Sequence, residues 1–352
     1  MAWFGSYLSE RVQLVQVESK LSEAVVLGEF GVPQGSILGP LAFLIFNNDF
    51  PASSVEGTSV LFADDDTDNV SDKDAEELQR KIQREADRST SWVLDNKMAC
   101  AGDKTKLLVI GTKQLRANKL NEPETRLTVN VAGNVVETSE SEKLLGLIIN
   151  NVMTWRHHLS GEHWRTPEKD NAPGLFSQLS QRVGLLKKLV RMVPKLRFKL
   201  LCHGMFQSKL LYCLQVFGNV WGFGYDEKER RNFGFTREDL RKLQVLQNKV
   251  CRLKTGLRFD TSTEQLLKSS QDLSVHQLIA YHTLVTVHKI KVNHKPEYLD
   301  NRLMFNLFDD NRIGPKRQVN QLSDELTSLA TTPKFKTEAK KWVLGNVARK
   351  PG

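Results

Sequence analysis

No stretch of this sequence reaches the roughly eighteen consecutive apolar residues that a membrane-spanning helix requires. Its start, MAWFGSYLSERVQ, lacks a basic segment followed by an apolar one, so no cleaved signal peptide is expected. Cysteine is sparse: Cys100, Cys202, Cys213 and Cys251 are scattered with no CxxC pair, which suits reduced thiols rather than a disulfide framework. His157, His158 and His163 crowd together, yet no cysteine stands near them at zinc-ligand spacing, and they read as solvated loop histidines. No repeat of fixed period is visible.

What remains is a chain of 352 residues, 40% hydrophobic and 26% charged, enough for two or three domains. Its net charge of +9 is unevenly spread. Residues 1–100 hold 8 Lys and Arg against 17 Asp and Glu, a net of −9. Residues 175–258 hold 18 against 5, a net of +13. An acidic front and a basic middle suit a protein that grips a polyanion and brings cations to it. Solvated helix faces would look the same by this measure alone.

The pattern along the chain predicts an α+β architecture. A helix end leads into β-like stretches at Val12 to Val17 and in EAVVLGEF. A Gly/Pro-rich segment, GVPQGSILGP, precedes the apolar run LAFLIF, whose start past Pro40 favours a helix. Thr58 to Ala63 reads as a core strand, Ser71 to Val93 as a helix capped by Ser71, and LLVIG and EKLLGLIIN as short buried strands. After a polar loop at 161–174 the spacing turns helical: Leu175, Leu179, Val183, Leu186 and Val190 recur at steps of three and four. Helices are expected over Lys195 to Gly218, Arg237 to Lys254 and Leu273 to Val292, and a short one in FKTEAKKWVL. The predicted divisions are 1–160, a linker at 161–174, a helical region at 175–300 and a polar tail at 301–352.

One stretch poses a chemical problem. In TSVLFADDDTDNV an apolar run delivers Asp64, Asp65 and Asp66 in succession. Burying adjacent carboxylates is unfavourable unless cations neutralise them. Hard oxygen ligands of this kind bind Mg²⁺ or Mn²⁺. An acidic turn in water is the alternative. A strand sends neighbours to opposite faces, so two adjacent acids share a site only where the chain turns.

The order of motifs resembles the palm of reverse transcriptases from non-LTR retrotransposons of the jockey and LINE type. GVPQGSILGPLAFLIFNNDFP resembles motif B of that family, and LFADD the metal-binding hairpin of motif C. DNKMACAGDKTKLLVIG resembles motif D, and KLLGLIIN the primer grip of motif E. WFGSYLSERVQLVQV resembles the segment between motifs A and B. SKLLYCLQVFGNVWG and LQVLQNKVCRLKTG resemble the family's thumb. The resemblance covers nearly the whole chain. It implies a partial right-hand palm followed by a helical thumb.

The resemblance also assigns expected roles. Asp64 and Asp65 would hold the metal ions, with Asp66 a solvated turn acid. Phe62 and Ala63 would shape the hairpin, and Gln34 and Gly35 would contact the incoming nucleotide or template. Lys104 matches a lysine that can protonate departing pyrophosphate, although a surface lysine fits its spacing equally. Leu145 and Gly146 match the primer-grip turn, with Trp155 packed beneath. Arg182, Lys187, Lys188, Arg191, Lys195, Arg197 and Lys199 would follow a phosphate backbone. The implied partners are an RNA template, a DNA primer and dNTPs, in cytoplasm or nucleus, with no membrane; the oligomeric state stays open. The family's third carboxylate, from motif A, and its fingers would precede Trp3, so this chain alone is expected to show little or no activity. Asp49, in NNDF, reads as structural rather than as a substitute for that carboxylate. A non-catalytic module that binds RNA or an RNA/DNA hybrid is the alternative reading.

Overall fold

A computed structural model of the chain describes residues 2–27, 31–111, 127–153, 155–161, 173–218, 236–297, 299 and 332–346. The chain divides into two compact units, 1–139 and 140–352. Small, mostly antiparallel sheets and many helices agree with the α+β expectation.

The first unit opens with helix α1 (Ala2–Leu8) and two short hairpins. In these, β1 (Val12–Gln13) pairs β4 (Val25–Val26), and β2 (Gln16–Val17) pairs β3 (Lys20–Leu21). Helix α2 (Gly39–Phe46) starts where Pro40 predicts it. Strands β5 (Gly57–Phe62) and β6 (Asp65–Val70) form a six-pair antiparallel ladder, from Gly57 opposite Val70 to Phe62 opposite Asp65. The polar composition of β6 does not prevent pairing: Asp65, Thr67 and Asn69 share one face of the hairpin, and on the other face Asp66 and Asp68 accept from Ser59 and Arg88.

Helix α3 (Ala75–Asp95) begins later than the sequence suggests. Asp74, not Ser71, is its cap, accepting the backbone N–H groups of Glu76 and Glu77 at 3.0 Å each. Strand β7 (Leu107–Leu108) pairs in parallel with β9 (Asn134–Ser139), which pairs antiparallel with β8 (Thr128–Val131). The outer edge of β8 is covered by α3. Gln83 Oε1 accepts the Asn130 N–H at 2.9 Å, and Gln83 Nε2 donates to the Asn130 carbonyl at 2.9 Å. Gln79, one turn earlier, bonds Thr128 in the same two-way fashion. Two side-chain amides thus pair an edge that would otherwise be open to another strand.

The second unit starts with the hairpin β10 (Ser141–Leu144) and β11 (Leu147–Asn150), then the short helix α4 (Arg156–Ser160). Helices α5 (Leu175–Leu189), α6 (Lys195–Cys202), α7 (Ser208–Leu211) and α8 (Leu214–Phe217) follow. Helices α9 (Arg237–Thr255), α10 (Thr263–Ser270), α11 (Val275–Asn293) and α12 (Thr332–Asn346) complete the unit. The expected stripe is buried as predicted at Leu175, Leu179, Val183 and Leu186. It packs with Phe198, Phe206, Leu210, Phe217 and Leu243 in one core. Capping boxes start α9 (Thr236 with Asp239) and α11 (Ser274 with Gln277). The closing helix α12 seals against α11, where the Phe335 and His288 rings stack at 3.8 Å. Among the described residues no helix is long and apolar enough to cross a membrane.

Two expectations fail here. The helix over Lys195 to Gly218 is interrupted by a π-helical turn, His203–Gln207, and again at Cys213, whose φ is 53°. His157 and His158 are buried, not solvated, and His163 lies outside the described residues. His158 Nδ1 accepts the Ile148 N–H at 3.3 Å, which ties α4 to β11.

Candidate functional site

The acidic hairpin belongs to the first unit. Its connection is two residues, Ala63 and Asp64, and Ala63 takes a φ of 55°. Tight two-residue hairpins need positive φ at one or both positions, usually met by Gly or Asn. An alanine there is strained, and such strain gathers at functional sites. Asp64 sits in the turn and Asp65 opens β6, and both are exposed. The turn brings both acids to one tip, together with Phe62 and Ala63.

Alternation sorts the rest of the hairpin. Ser59, Leu61, Asp66 and Asp68 share the face toward α3, while Val60, Phe62 and Asp65 share the opposite one. Val60 and Phe62 are 54% and 64% exposed, so only one face of the expected core strand is covered. Asp66 is not simply a solvated turn acid. It is in β6, and Ser59 Oγ donates to it at 2.7 Å. Although the residue as a whole is exposed, its carboxyl end is largely withdrawn from water. That desolvation, aided by repulsion from Asp68, raises its pKa to about 6 against the pull of Ser59 and Arg88. Asp66 is also near enough to Cys100 to add to the upward push that burial gives that thiol.

A charged knot beneath the hairpin went unseen in the sequence. Glu85, in the middle of α3, is 2% exposed. Its Oε1 accepts the N–H groups of Val55 at 2.7 Å and Glu56 at 2.6 Å and the Ser54 hydroxyl at 3.0 Å. Its Oε2 accepts Arg88 Nε at 2.7 Å. Burial alone would raise this carboxyl; the donors around it outweigh that and hold it below the usual range. Arg88 continues the knot. Nη2 donates to Asp68 at 3.1 and 3.2 Å, Nη1 donates to Ser53 Oγ at 2.8 Å, and the guanidinium lies 4.6 Å from the Phe50 ring centroid. The loop entering β5, the strand β6 and helix α3 are thus fastened together. A Glu in the polar run QREADRS carries no sequence signal of burial.

Gln34 and Gly35 lie in the loop before α2, and both are exposed. Gly31 and Gly35 have φ of 88° and 81°, the backbone region that favours glycine. Ser36 Oγ closes the loop, donating to the Pro33 carbonyl at 2.8 Å and accepting the Gly39 N–H at 3.0 Å. Lys104 is exposed in a turn held by its N–H to the Ala101 carbonyl at 3.0 Å. Among the described residues no hydrogen bond or ion pair joins Gln34, Gly35 or Lys104 to the acidic tip. Asp49 is exposed in the turn after α2.

The second unit holds the other predicted residues. Leu145 and Gly146 form the turn between β10 and β11, with φ of 46° and 83°. Tyr212, not Trp155, packs on this turn. Its hydroxyl donates to the Leu145 carbonyl, and a Cβ placed on Gly146 would meet its ring at 3.5 Å. Trp155 is in the core beside Phe217, their ring centroids 6.1 Å apart. Lys187, Lys188, Arg191, Lys195, Arg197 and Lys199 are exposed along α5, α6 and their connection, without acidic partners among the described residues. Arg182 is half-buried and donates from Nη1 to the Met205 carbonyl.

Two adjacent carboxylates at an exposed tip are a hard-oxygen donor pair suited to Mg²⁺ or Mn²⁺. Among the described residues no group of three candidate ligands surrounds them. The pair fits part of a two-ion site, not all of one.

No family model matches the sequence, and no solved structure matches it. Among curated proteins the chain is 25% identical over 262 residues, 72% of its length, to a Drosophila melanogaster protein named probable RNA-directed DNA polymerase from transposon X-element. The chain spans about a quarter of the length of that relative. By sequence the chain is thus similar to a reverse transcriptase, a likeness that supports a place in that family in general.

Proposed function

We propose that this chain is part of an RNA-directed DNA polymerase of a non-LTR retrotransposon of the jockey or LINE type. The reaction would be nucleotidyl transfer from a dNTP to a DNA primer on an RNA template. The observation that carries the reading is the β5–β6 hairpin, whose strained two-residue turn presents Asp64 and Asp65 together. Mg²⁺ held there would neutralise charge on the reacting phosphate. Gln34 and Gly35 would border the nucleotide, Lys104 would hand a proton to pyrophosphate, and Leu145 and Gly146 would meet the primer end. The exposed cations of α5 and α6 would follow the duplex backbone.

Positioning supplies most of the catalysis in phosphoryl transfer. Two carboxylates with no third candidate ligand beside them among the described residues hold ions loosely, so extension by this chain alone is expected to be slow or absent. The same incompleteness favours a second reading, a module that binds RNA or an RNA/DNA hybrid without copying it. Primer extension on an RNA template with Mg²⁺, beside an Asp65→Asn variant, separates the two. Extension that the variant abolishes supports the polymerase. Duplex binding without extension supports the binding module.

A further inference from the structure

Asp64, Asp65, Asp66 and Asp68 crowd one hairpin, and the fold treats them in two ways. Asp64 and Asp65 are exposed at the tip, and among the described residues no cation bonds them. Asp66 and Asp68 share the face toward α3, close enough to repel one another. Glu85, on α3, brings a further carboxylate beneath that face. Clustered acids of this kind are what a divalent ion ordinarily joins. On this inner face a side chain of the protein stands among them instead.

The Arg88 side chain is only 11% exposed. Nε donates to Glu85 Oε2, Nη1 to Ser53 Oγ and the Phe50 carbonyl, and Nη2 to both oxygens of Asp68 and to Ser89 Oγ. Ser89 Oγ in turn donates to Asp68 at 3.0 Å. Every N–H group of the guanidinium thus has an acceptor, and the Phe50 ring covers it. With no donor free, Arg88 has nothing to offer a nucleotide phosphate. Its charge reaches Asp66 as well, which it attracts. Among the described residues no other cation bonds Asp66, Asp68 or Glu85. A guanidinium stays charged at any ordinary pH, so this cation is permanent.

We propose that Arg88 is a built-in counter-cation that occupies the place a divalent ion would otherwise take on the inner face of the β5–β6 hairpin, and so confines metal ions to the Asp64–Asp65 tip. The inference rests on the reading of that tip as a metal site and adds the residue that decides where on the hairpin the ions sit. Arg88 touches neither ion nor substrate and acts through Asp68 and Asp66, so it is a positioning residue. The crowding of acids creates the need for one. Two-ion chemistry depends on ions held at one place. A hairpin with uncompensated acids on both faces would spread ions over both, and a displaced ion is lost to the reaction. A neutral residue at position 88 would leave Asp68 and Glu85 as uncompensated charges, which a divalent ion would then relieve.

The test counts the Mn²⁺ ions bound by the full chain, read from the electron paramagnetic resonance signal of the free ion, beside thermal melts with and without Mn²⁺. Asp65→Asn should weaken binding by about tenfold or more, and Asp68→Asn by less than about twofold. Arg88→Gln should bind one more Mn²⁺ per chain than wild type, and adding Asp68→Asn to it should remove that ion. Mn²⁺ should also raise the melting temperature of Arg88→Gln by more than that of wild type, since the added ion binds only the folded chain. A purely structural role would lower the melting temperature and add no ion. Arg88→Lys, which keeps the charge and loses the fork, should melt lower and gain no ion. An Arg88→Gln chain that folds and gains no ion, or that stays unfolded in Mn²⁺, would overturn the inference. So would Asp68→Asn weakening wild-type binding as much as Asp65→Asn does. A wild-type chain that binds no Mn²⁺ would instead remove the reading of the tip, and an ion gained by Arg88→Gln would still stand.

Discussion

The two hairpins that carry candidate site residues are built on the same plan and secured at opposite ends. The β5–β6 hairpin is fastened at its base, by Glu85 and Arg88, and its tip is open. The β10–β11 hairpin is fastened at its tip, by Tyr212, and its second strand is core, with Leu147 and Ile148 buried. Both turns hold non-glycine residues at positive φ, Ala63 and Leu145. The difference suits what each tip is proposed to do. A tip that receives metal ions must leave its carboxylates open and take its rigidity from below. A tip that presses on a strand end can be clamped directly, because its backbone carries the contact.

The largest expected effect breaks the first arrangement. Glu85→Ala leaves the Val55 and Glu56 amides and the Arg88 guanidinium without their acceptor in a site with little access to water. Removing one partner of a buried charged network costs about 3 to 5 kcal/mol. Urea unfolding should show a loss of that order, and a loss below about 1 kcal/mol would mean that water replaces the carboxylate. No change of comparable size is expected from Phe62→Ala on the open face of the same hairpin.

Much of this was legible in the sequence, and the failures are specific. The helical stripe from Leu175 to Leu186 was readable because its core face repeats at steps of three and four. The turn at Ala63 and Asp64 is legible through the resemblance of LFADD to the family's hairpin, since two adjacent acids share a site only where the chain turns. Period alone does not tell which face of a strand finds a partner, so Val60 and Phe62 were expected in a core that covers only the other face. His157 and His158 read as solvated, and Glu85 gives no signal at all, because polar residues are usually exposed. Their burial depends on donors supplied from elsewhere in the fold, such as the Val55 and Glu56 amides, thirty residues from Glu85. Tyr212 bonds a carbonyl 67 residues away, and no local pattern announces that. The α+β architecture was visible, whereas the charged supports of the candidate site were not.

The second effect is a difference of sign. Asp66, with a pKa raised to about 6, holds its proton more tightly folded than unfolded. The first hairpin should therefore lose stability as pH rises from about 4 through 6. His158, with a pKa lowered to about 4, takes up its proton more readily unfolded. The second hairpin should gain stability as pH rises from about 4 to 6.5. Amide exchange at the two hairpins, corrected for the intrinsic pH dependence, should move in opposite directions across that window. Asp66→Asn should flatten the first response, and His158→Gln the second. Parallel responses in wild type would show that burial does not control these two groups.

The smallest effect isolates the clamp. Tyr212→Phe keeps the ring over Gly146 and removes only the hydroxyl that donates to Leu145. A single neutral hydrogen bond at a partly exposed site is worth about 1 kcal/mol. The loss should fall mainly on the turn. Exchange should quicken at the amides of the 145–146 turn, and unfolding of the second unit should shift little, because Leu147, Ile148 and the helical core remain. If the hydroxyl matters only to global stability, exchange will rise evenly through β10 and β11. If it holds the tip, exchange will rise there first, and a primer or hybrid bound at the turn should restore the protection. That second outcome would make the clamp a device for positioning a strand end. The open tip of the other hairpin would show no such response to Tyr212→Phe, and the two modes of fastening would be experimentally distinct.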